Sequence, residues 1–383
     1  MKELRIAIVG YGVAGISAAI MLRRLGHRIL HFERATVPGV GGAGLLLNNR
    51  SLDVLGHLGL RNAALARGAM ISGIYGTTLR GSKIMDLRYG EYSPGNFGLG
   101  IQRKALHELL RAADEQAAQV RLAHISSADA ERGYLFDEQR RPIGPFDLIV
   151  AADGAGSHVR TGVRSLIRRD RNYRSSAIVC LIDDPNRVFG CRVSQYYSGG
   201  HHIAIWPVGS GAPGGPHRIN VSLNVSNARA EHFRATEVWR RHAADLCPAL
   251  VPLLEQLDAK GELLLFTYRD VALRRYYTGR VALIGDAAHS MSPQLGQGVT
   301  MALLDSQALA QALDTNCEIA TALADFDRTR RIATSRYQRV SRWVTPIFQS
   351  ENRAIAMFRD WAFYRASRLP YVRRSMLKML SGA

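Results

Sequence analysis

Three glycines, Gly10, Gly12 and Gly15, stand between a mostly apolar run, Leu4 to Val9, and a small-residue stretch, Val13 to Leu25. A carboxylate, Glu33, closes the next apolar run, Ile29 to Glu33, and lies 18 residues beyond Gly15. Gly-x-Gly-x-x-Gly at a strand-to-helix junction is a phosphate-binding pattern. The first glycine permits a tight turn, the second lets the backbone approach a pyrophosphate, and the third lets helix and strand pack closely. The backbone N–H groups at the helix start, around Val13, Ala14 and Gly15, then face the phosphates along the helix dipole. A carboxylate at the end of the second strand accepts hydrogen bonds from an adenosine ribose diol. A glycine triplet alone is a weak signal; one inside a strand–helix–strand unit with its acid is strong.

Two further stretches carry chemistry. Asp153-Gly154-Ala-Gly-Ser-His-Val-Arg160 follows an apolar run, Phe146 to Ala152. Alone, Asp-Gly after a strand is a turn. Gly285-Asp286-Ala-Ala-His289-Ser-Met-Ser-Pro293-Gln-Leu-Gly296-Gln297-Gly298 follows another apolar run, Arg280 to Gly285, and enters a helix. Asp286 at a strand end suits a sugar or ribityl hydroxyl, or equally a helix cap. Gly296 and Gly298 leave a helix N-terminus open to negative charge.

The elements that must position these residues are legible from periodicity. Leu4–Val9, helical spacing over Val13–Leu25 closed by Gly26, and Ile29–Glu33 make a βαβ unit. A glycine-rich turn from Gly39, GVGGAGLLL, precedes a helix over Ser51–Leu58, and Gln102–Gln116 reads as a helix. Residues 175 to 270 alternate apolar and polar with Gly, Pro, Asn and Ser punctuation, which reads as antiparallel sheet with long turns. SKIMDLRYG, with Lys83, reads as an edge strand of that sheet. From Gln297 onward the pattern is helical. The fold class expected is α/β: a Rossmann-like dinucleotide-binding domain from residues 1–70, 101–165 and 276–315, an inserted antiparallel-sheet substrate domain from 71–100 and 166–275, and a C-terminal helical region from 316–383.

Composition narrows the classes. The chain has 383 residues, 47% of them hydrophobic and 21% charged, ordinary for a globular protein. Its net charge is +18, and nearly all of the excess is arginine. Such a surface favours anionic partners, but there is no zinc-finger spacing or RNA-recognition aromatic box, so no nucleic acid is expected. Cys180, Cys191, Cys247 and Cys317 are scattered without a C-x-x-C pair, so reduced thiols, no metal and a cytoplasmic location are expected. No run reaches the ~18 apolar residues of a membrane span. A homodimer is compatible with the sequence, which does not fix the oligomeric state.

The three motifs together, in this order, resemble the p-hydroxybenzoate hydroxylase-like family of single-component FAD-dependent aromatic hydroxylases. The resemblance covers most of the chain, including TPIFQSENRAIAMFRDW near the C-terminus. It implies roles for the matching positions. Gly10, Gly12, Val13, Ala14 and Gly15 would hold the FAD pyrophosphate and Glu33 the adenosine ribose, with Arg34 near the adenine. Arg103 would approach the FAD phosphates and ribityl chain. Asp153, Gly154 and Arg160 would serve FAD and reduced nicotinamide. Gly285 and Asp286 would bind the ribityl chain; Pro293, Gly296, Gln297 and Gly298 would lie beside the isoalloxazine ring. The resemblance also implies the reaction: NADH or NADPH reduces FAD, O2 gives a C4a-hydroperoxide, and one oxygen atom passes to an aromatic or heteroaromatic ring. One departure stands out. The family often has Pro-Asn before the helix that follows GAGLLL, where this chain has Asn49-Arg50.

The substrate would sit between flavin and inserted sheet. Tyr196, Tyr197, His201, His202 and Trp206 cluster in one expected hairpin, with His202 and Trp206 on one face and His201 on the other. A histidine there could act as a base near neutral pH, and a tyrosine could bond a ring hydroxyl. Paired histidines near a turn are as readily solvent-facing. Two alternatives share the scaffold. A flavin-dependent halogenase carries two tryptophans two residues apart ahead of Ile-Pro, a signature that His202-Ile-Ala-Ile-Trp206-Pro207 lacks; a flavin-dependent reductase acting on a ring is the other. A non-catalytic FAD-fold binding protein has no need for a ribityl-binding acid at 286.

Overall fold

The computed structural model describes residues 2–36, 43–115, 119–257, 263–350 and 352–382. The glycine-rich turn from Gly39 falls largely outside them, as does the last residue of the helix expected to end at Gln116.

Four strands running the same way form the heart of the first sheet, in the order Val281–Leu283, Leu148–Ala151, Arg5–Val9, Arg28–Glu33. A short strand flanks each side, Tyr277–Thr278 and Arg121–Leu122. Ile6 pairs with Leu148 on one side and Ile29 on the other, and both faces are buried, which is why these strands read as continuous apolar runs. The helix Val13–Arg24 packs on one face of this sheet against the helix Gly298–Thr315. Small residues (Ala14, Ala18, Ala302, Ala310) permit that approach.

The second large sheet has seven strands in the order Leu264–Leu273, Ile167–Asp183, Arg218–Ser226, His201–Gly209, Arg192–Ser198, Gly73–Thr78, Lys83–Arg88. Lys83–Arg88 is its edge. One neighbour pair departs from the antiparallel expectation: Arg192–Ser198 runs parallel to Gly73–Thr78. Those two strands are separated in the chain by residues 79–191, so no hairpin constrains their direction. One face of this sheet packs on the helix Thr236–Leu246 and the turns to Leu257, around Trp239. These helices are absent from the sequence reading, because the punctuation around them dominated the window.

A small three-stranded sheet, Gly44–Leu47, Gly98–Gln102 and Ala69–Ile71, bridges the two. The chain then runs through a 31-residue helix, Ile319–Gln349, and the helices Arg353–Ser367 and Pro370–Ser381. No helix among the described residues is long and apolar enough to cross a membrane. All four cysteines are free thiols.

Candidate active site

The strand order sets the site. Gly10, Glu33, Asp153 and Asp286 each follow or close the carboxyl end of one of four adjacent parallel strands, so they line one edge of the sheet. This is where open α/β sheets bind ligands.

The glycines are required by space. Gly10 has φ of +103°, and a Cβ there would lie 2.4 Å from Ala152 O. A Cβ on Gly15 would lie 1.9 Å from Gly10 O, so helix and turn touch through backbone. Gly12 is different: a Cβ there would meet nothing within 4 Å. Gly12 caps the helix Val13–Arg24 without a side-chain hydrogen bond, and the first turn holds no acid. Open space therefore faces unpaired N–H groups, the arrangement a pyrophosphate fills.

The acids are held in distinct ways. Glu33 accepts from Tyr11 N and Ala35 N, each at 2.7 Å, which fixes its carboxylate beside the glycine turn. Arg34 next to it is exposed. Asp153 Oδ2 accepts from His158 N at 2.9 Å, while Oδ1 is buried with no partner. Burial raises its pKa, against the hydrogen bonds that favour its charge. Gly154, with φ of +79°, makes the turn that follows. Asp286 is exposed at the start of the short helix Asp286–His289. Arg103, at the exposed start of its helix, is near enough to feel the Asp286 charge: the protein around its guanidinium lowers the pKa, and Asp286 opposes that. Arg103 also lies 5.3 Å from the centre of the Phe266 ring. In the segment that follows, Pro293 and Gly298 are exposed and Gly296 turns with φ of +62°.

The second sheet presents its other face toward this region. On Arg218–Ser226, Ile219, Val221, Leu223 and Val225 point into the helix layer. Asn220, Ser222 and Asn224 therefore point the opposite way. Asn220 and Asn224 are nonetheless buried, as is His202, which pairs with Asn224 across the strands. His202 Nδ1, Asn224 Oδ1, Asn220 Nδ2, Trp206 Nε1 and both amide atoms of Gln349 have no partner. Asn220 Oδ1 accepts from Gly44 N at 2.5 Å, so this face abuts the strand that follows the glycine-rich turn. His202 stacks on Tyr197 with centroids 5.2 Å apart, and Arg359 lies 4.6 Å from the Tyr197 ring centre. Burial, Arg359 and His201 push the His202 pKa down to about 3. His202 is therefore neutral at neutral pH and too weak a base for the role the sequence suggested. Tyr196 and His201 point the other way: Tyr196 packs on the helix layer, and His201 lies 4.9 Å, ring to ring, from His242. Both therefore lie on the face opposite His202, Asn220 and Asn224.

A family described as "FAD binding domain" matches residues 3–331. The kynurenine 3-monooxygenase of Xanthomonas axonopodis pv. citri (strain 306) is 30% identical over 359 residues, covering 86% of this chain and 76% of that one. The chain belongs to the FAD-dependent aromatic hydroxylases. Solved structures agree in fold. 2-Methyl-3-hydroxypyridine-5-carboxylic acid oxygenase superposes with a TM-score of 0.80 at 21% identity, covering 99% of this chain and 98% of that one. Klebsiella pneumoniae HpxO, complexed with FAD and uric acid, gives 0.81 at 18% identity, covering 99% and 97%. This hydroxylase is an oxidoreductase that uses FAD, with NAD(P)H as co-substrate.

The residues present fit FAD: an open, uncapped helix N-terminus for the pyrophosphate, Glu33 near one end, and Asp286 and Arg103 for a polyhydroxyl chain. Other residues brace the loops around these positions. Arg160 is fully buried, and its guanidinium is spent on Asp170 at 3.0 Å, Ala287 O at 3.0 Å and Ala155 O at 2.6 Å. It ties the 153 and 286 turns together, so its part is to hold the two turns in place. Gln297 is likewise turned inward, accepting from Asn48 Nδ2 at 3.0 Å. Asn48 caps the helix Asn49–His57, accepting from Ser51 N at 3.0 Å.

Two supports escaped the sequence reading. Asp305 is completely buried, accepting from Gly285 N at 2.7 Å, His289 Nε2 at 2.5 Å and Arg330 Nε at 2.7 Å. Burial disfavours its charge, but His289 and Arg330 outweigh that and hold its pKa down to about 2. Behind the glycine turn, His31 Nε2 donates to Gly10 O at 2.9 Å, and burial pushes its pKa down to about 4. The signal for Asp305 was an acid in the middle of an apolar helix, MALLDSQALA; an unpaired charge there would be costly.

Proposed function

We propose that this hydroxylase takes a small, planar aromatic or heteroaromatic substrate bearing polar or anionic substituents, held against the sheet face of His202, Asn220, Asn224 and Trp206. One observation carries this reading: a row of buried side-chain donors and acceptors on that face, with Gln349 beside it, lacks partners within the protein. Buried polar groups are satisfied by something, and a heteroatom-rich ring supplies complementary atoms. Kynurenine, a hydroxypyridine carboxylic acid and uric acid, named for the relatives, share that character.

In this reading the cofactor is held by residues 1–70, 101–165 and 276–315, and the substrate by 71–100 and 166–275. Gly10, Gly12 and the N–H groups of Val13, Ala14 and Gly15 bind the pyrophosphate; Glu33 binds the adenosine ribose and Arg34 flanks the adenine. Asp286 and Arg103 bind the ribityl chain, and Asp153 and Gly154 shape its approach. Bound FAD supplies hydride acceptance from NAD(P)H and activation of O2. Pro293 and Gly296 to Gly298 bring the start of the helix Gly298–Thr315 to the ring edge, where its dipole favours negative charge. His202, neutral at working pH, positions the substrate by hydrogen bonding and transfers no proton. The enzyme works in the cytoplasm.

The test is a titration of the FAD-loaded enzyme with aromatic carboxylates and their neutral amides, followed by perturbation of the flavin spectrum. His202→Phe and Asn224→Leu should each weaken binding about 10- to 100-fold with FAD content unchanged. Unaltered affinity in both variants would place the substrate elsewhere.

A further inference from the structure

The described residues expose four aromatic side chains, and all lie in the C-terminal helices: Trp343, Phe358, Trp361 and Tyr371. Phe358 and Trp361 stand on the helix Arg353–Ser367 with Met357, and these three are 60–71% exposed. Their spacing puts them on one stripe that turns outward, while Ala356 and Arg359 point inward. Leu369 and Tyr371 extend the apolar surface across the junction with the next helix, Tyr371 being 84% exposed.

This surface borders a groove of about 1320 Å³ between the helix Arg353–Ser367 and the hairpin that ends in the edge strand Lys83–Arg88. Arg80, Lys83, Arg353, Arg365 and Arg368 line it, against a single carboxylate, Asp360. That carboxylate is already occupied by Arg359, at 2.8 Å. Among the described residues, no acid lies within ion-pair distance of Arg80, Arg353, Arg365 or Arg368.

We propose that this face docks the enzyme on an anionic lipid bilayer, with Phe358, Trp361 and Tyr371 entering the headgroup layer and the arginines meeting lipid phosphates. The charge decides the occupant. A second copy of the chain would oppose the same five cations to one another, whereas an anionic surface neutralises them. The aromatic component decides between an acidic protein and a bilayer: exposed Trp, Phe and Tyr among arginines match the amphipathic headgroup boundary, where each basic side chain adds to attraction for acidic lipid. A net charge of +18 strengthens the approach. The groove's floor is Tyr197, whose ring stacks on His202, so the docked face and the polar sheet face share a wall.

Flotation of the FAD-loaded enzyme with phosphatidylcholine vesicles, with and without phosphatidylglycerol, tests this. Binding is expected only with the anionic lipid, weakening as salt rises. The pair Arg365→Glu/Arg368→Glu should lower the partition coefficient about tenfold or more, and Phe358→Ser/Trp361→Ser should lower it with the salt dependence retained. Both variants should keep the wild-type FAD content and melting temperature. Equal flotation with neutral vesicles, or variants that float like the wild type, overturns the proposal. So does poly-glutamate binding as tight as vesicle binding and unaffected by Phe358→Ser/Trp361→Ser, which would mark a site for acidic polypeptide.

Discussion

Among single residues, Gly12 and Gly15 separate a ligand requirement from a folding requirement. Gly12→Ala places a methyl in open space, so the melting temperature without cofactor should not change. FAD affinity should fall about tenfold, about 1.4 kcal/mol, if that space takes the pyrophosphate as proposed. Gly15→Ala drives a Cβ to 1.9 Å from Gly10 O and should cost the fold about 1–3 kcal/mol or more, with or without FAD. Differential scanning of both variants, each with and without FAD, distinguishes the two behaviours. Asp286→Ala should weaken FAD by about 10- to 100-fold, read by loss of the yellow band on gel filtration, because the exposed carboxylate makes no hydrogen bond among the described residues and is open to a ligand. Retention of full flavin would remove Asp286 from the cofactor site.

At the scale of elements, the turn carrying Asp286 depends on Asp305 in the neighbouring helix. Asp305→Ala leaves Arg330 and Gly285 N without their acceptor and should cost about 3–5 kcal/mol. The sign of the pH dependence follows from the depressed carboxyl pKa. Its contribution is complete above the unfolded value of about 4 and is lost as pH falls through the folded value of about 2. Urea denaturation of the wild type between pH 5 and 2 should therefore lose stability in that window, and Asp305→Asn should flatten that part of the loss. The motif-bearing strands and helices were legible in the sequence because local pattern and burial agree there. The direction of a side chain such as Arg160 was not, because its partners Asp170 and Ala287 come from distant segments. Tyr196 was misplaced for a related reason. A cluster of aromatics marks a strand, but only the register with Ile203 decides which face Tyr196 takes. The stronger signal for the buried polar face was Asn220-Val-Ser-Leu-Asn224, polar at every second position of a buried strand.

At the scale of the whole molecule, the last helix closes the site from outside. Leu380 packs in the cluster that holds Trp206, Arg50 donates to Gly382 O at 3.3 Å, and Arg373 pairs with Glu91. Deleting residues 370–382 should lower the melting temperature by roughly 3–6 °C and speed FAD loss, measured by flavin fluorescence. The central claim joins both sheets in one reaction, and anaerobic reduction of the bound FAD by NADH and NADPH, with a panel of aromatic acids, tests it most directly. The account predicts that one class of polar aromatic accelerates reduction, and that admitting 18O2 then yields that compound with one labelled oxygen atom. Reduction indifferent to every aromatic tested, with oxygen returned wholly as hydrogen peroxide, would contradict it.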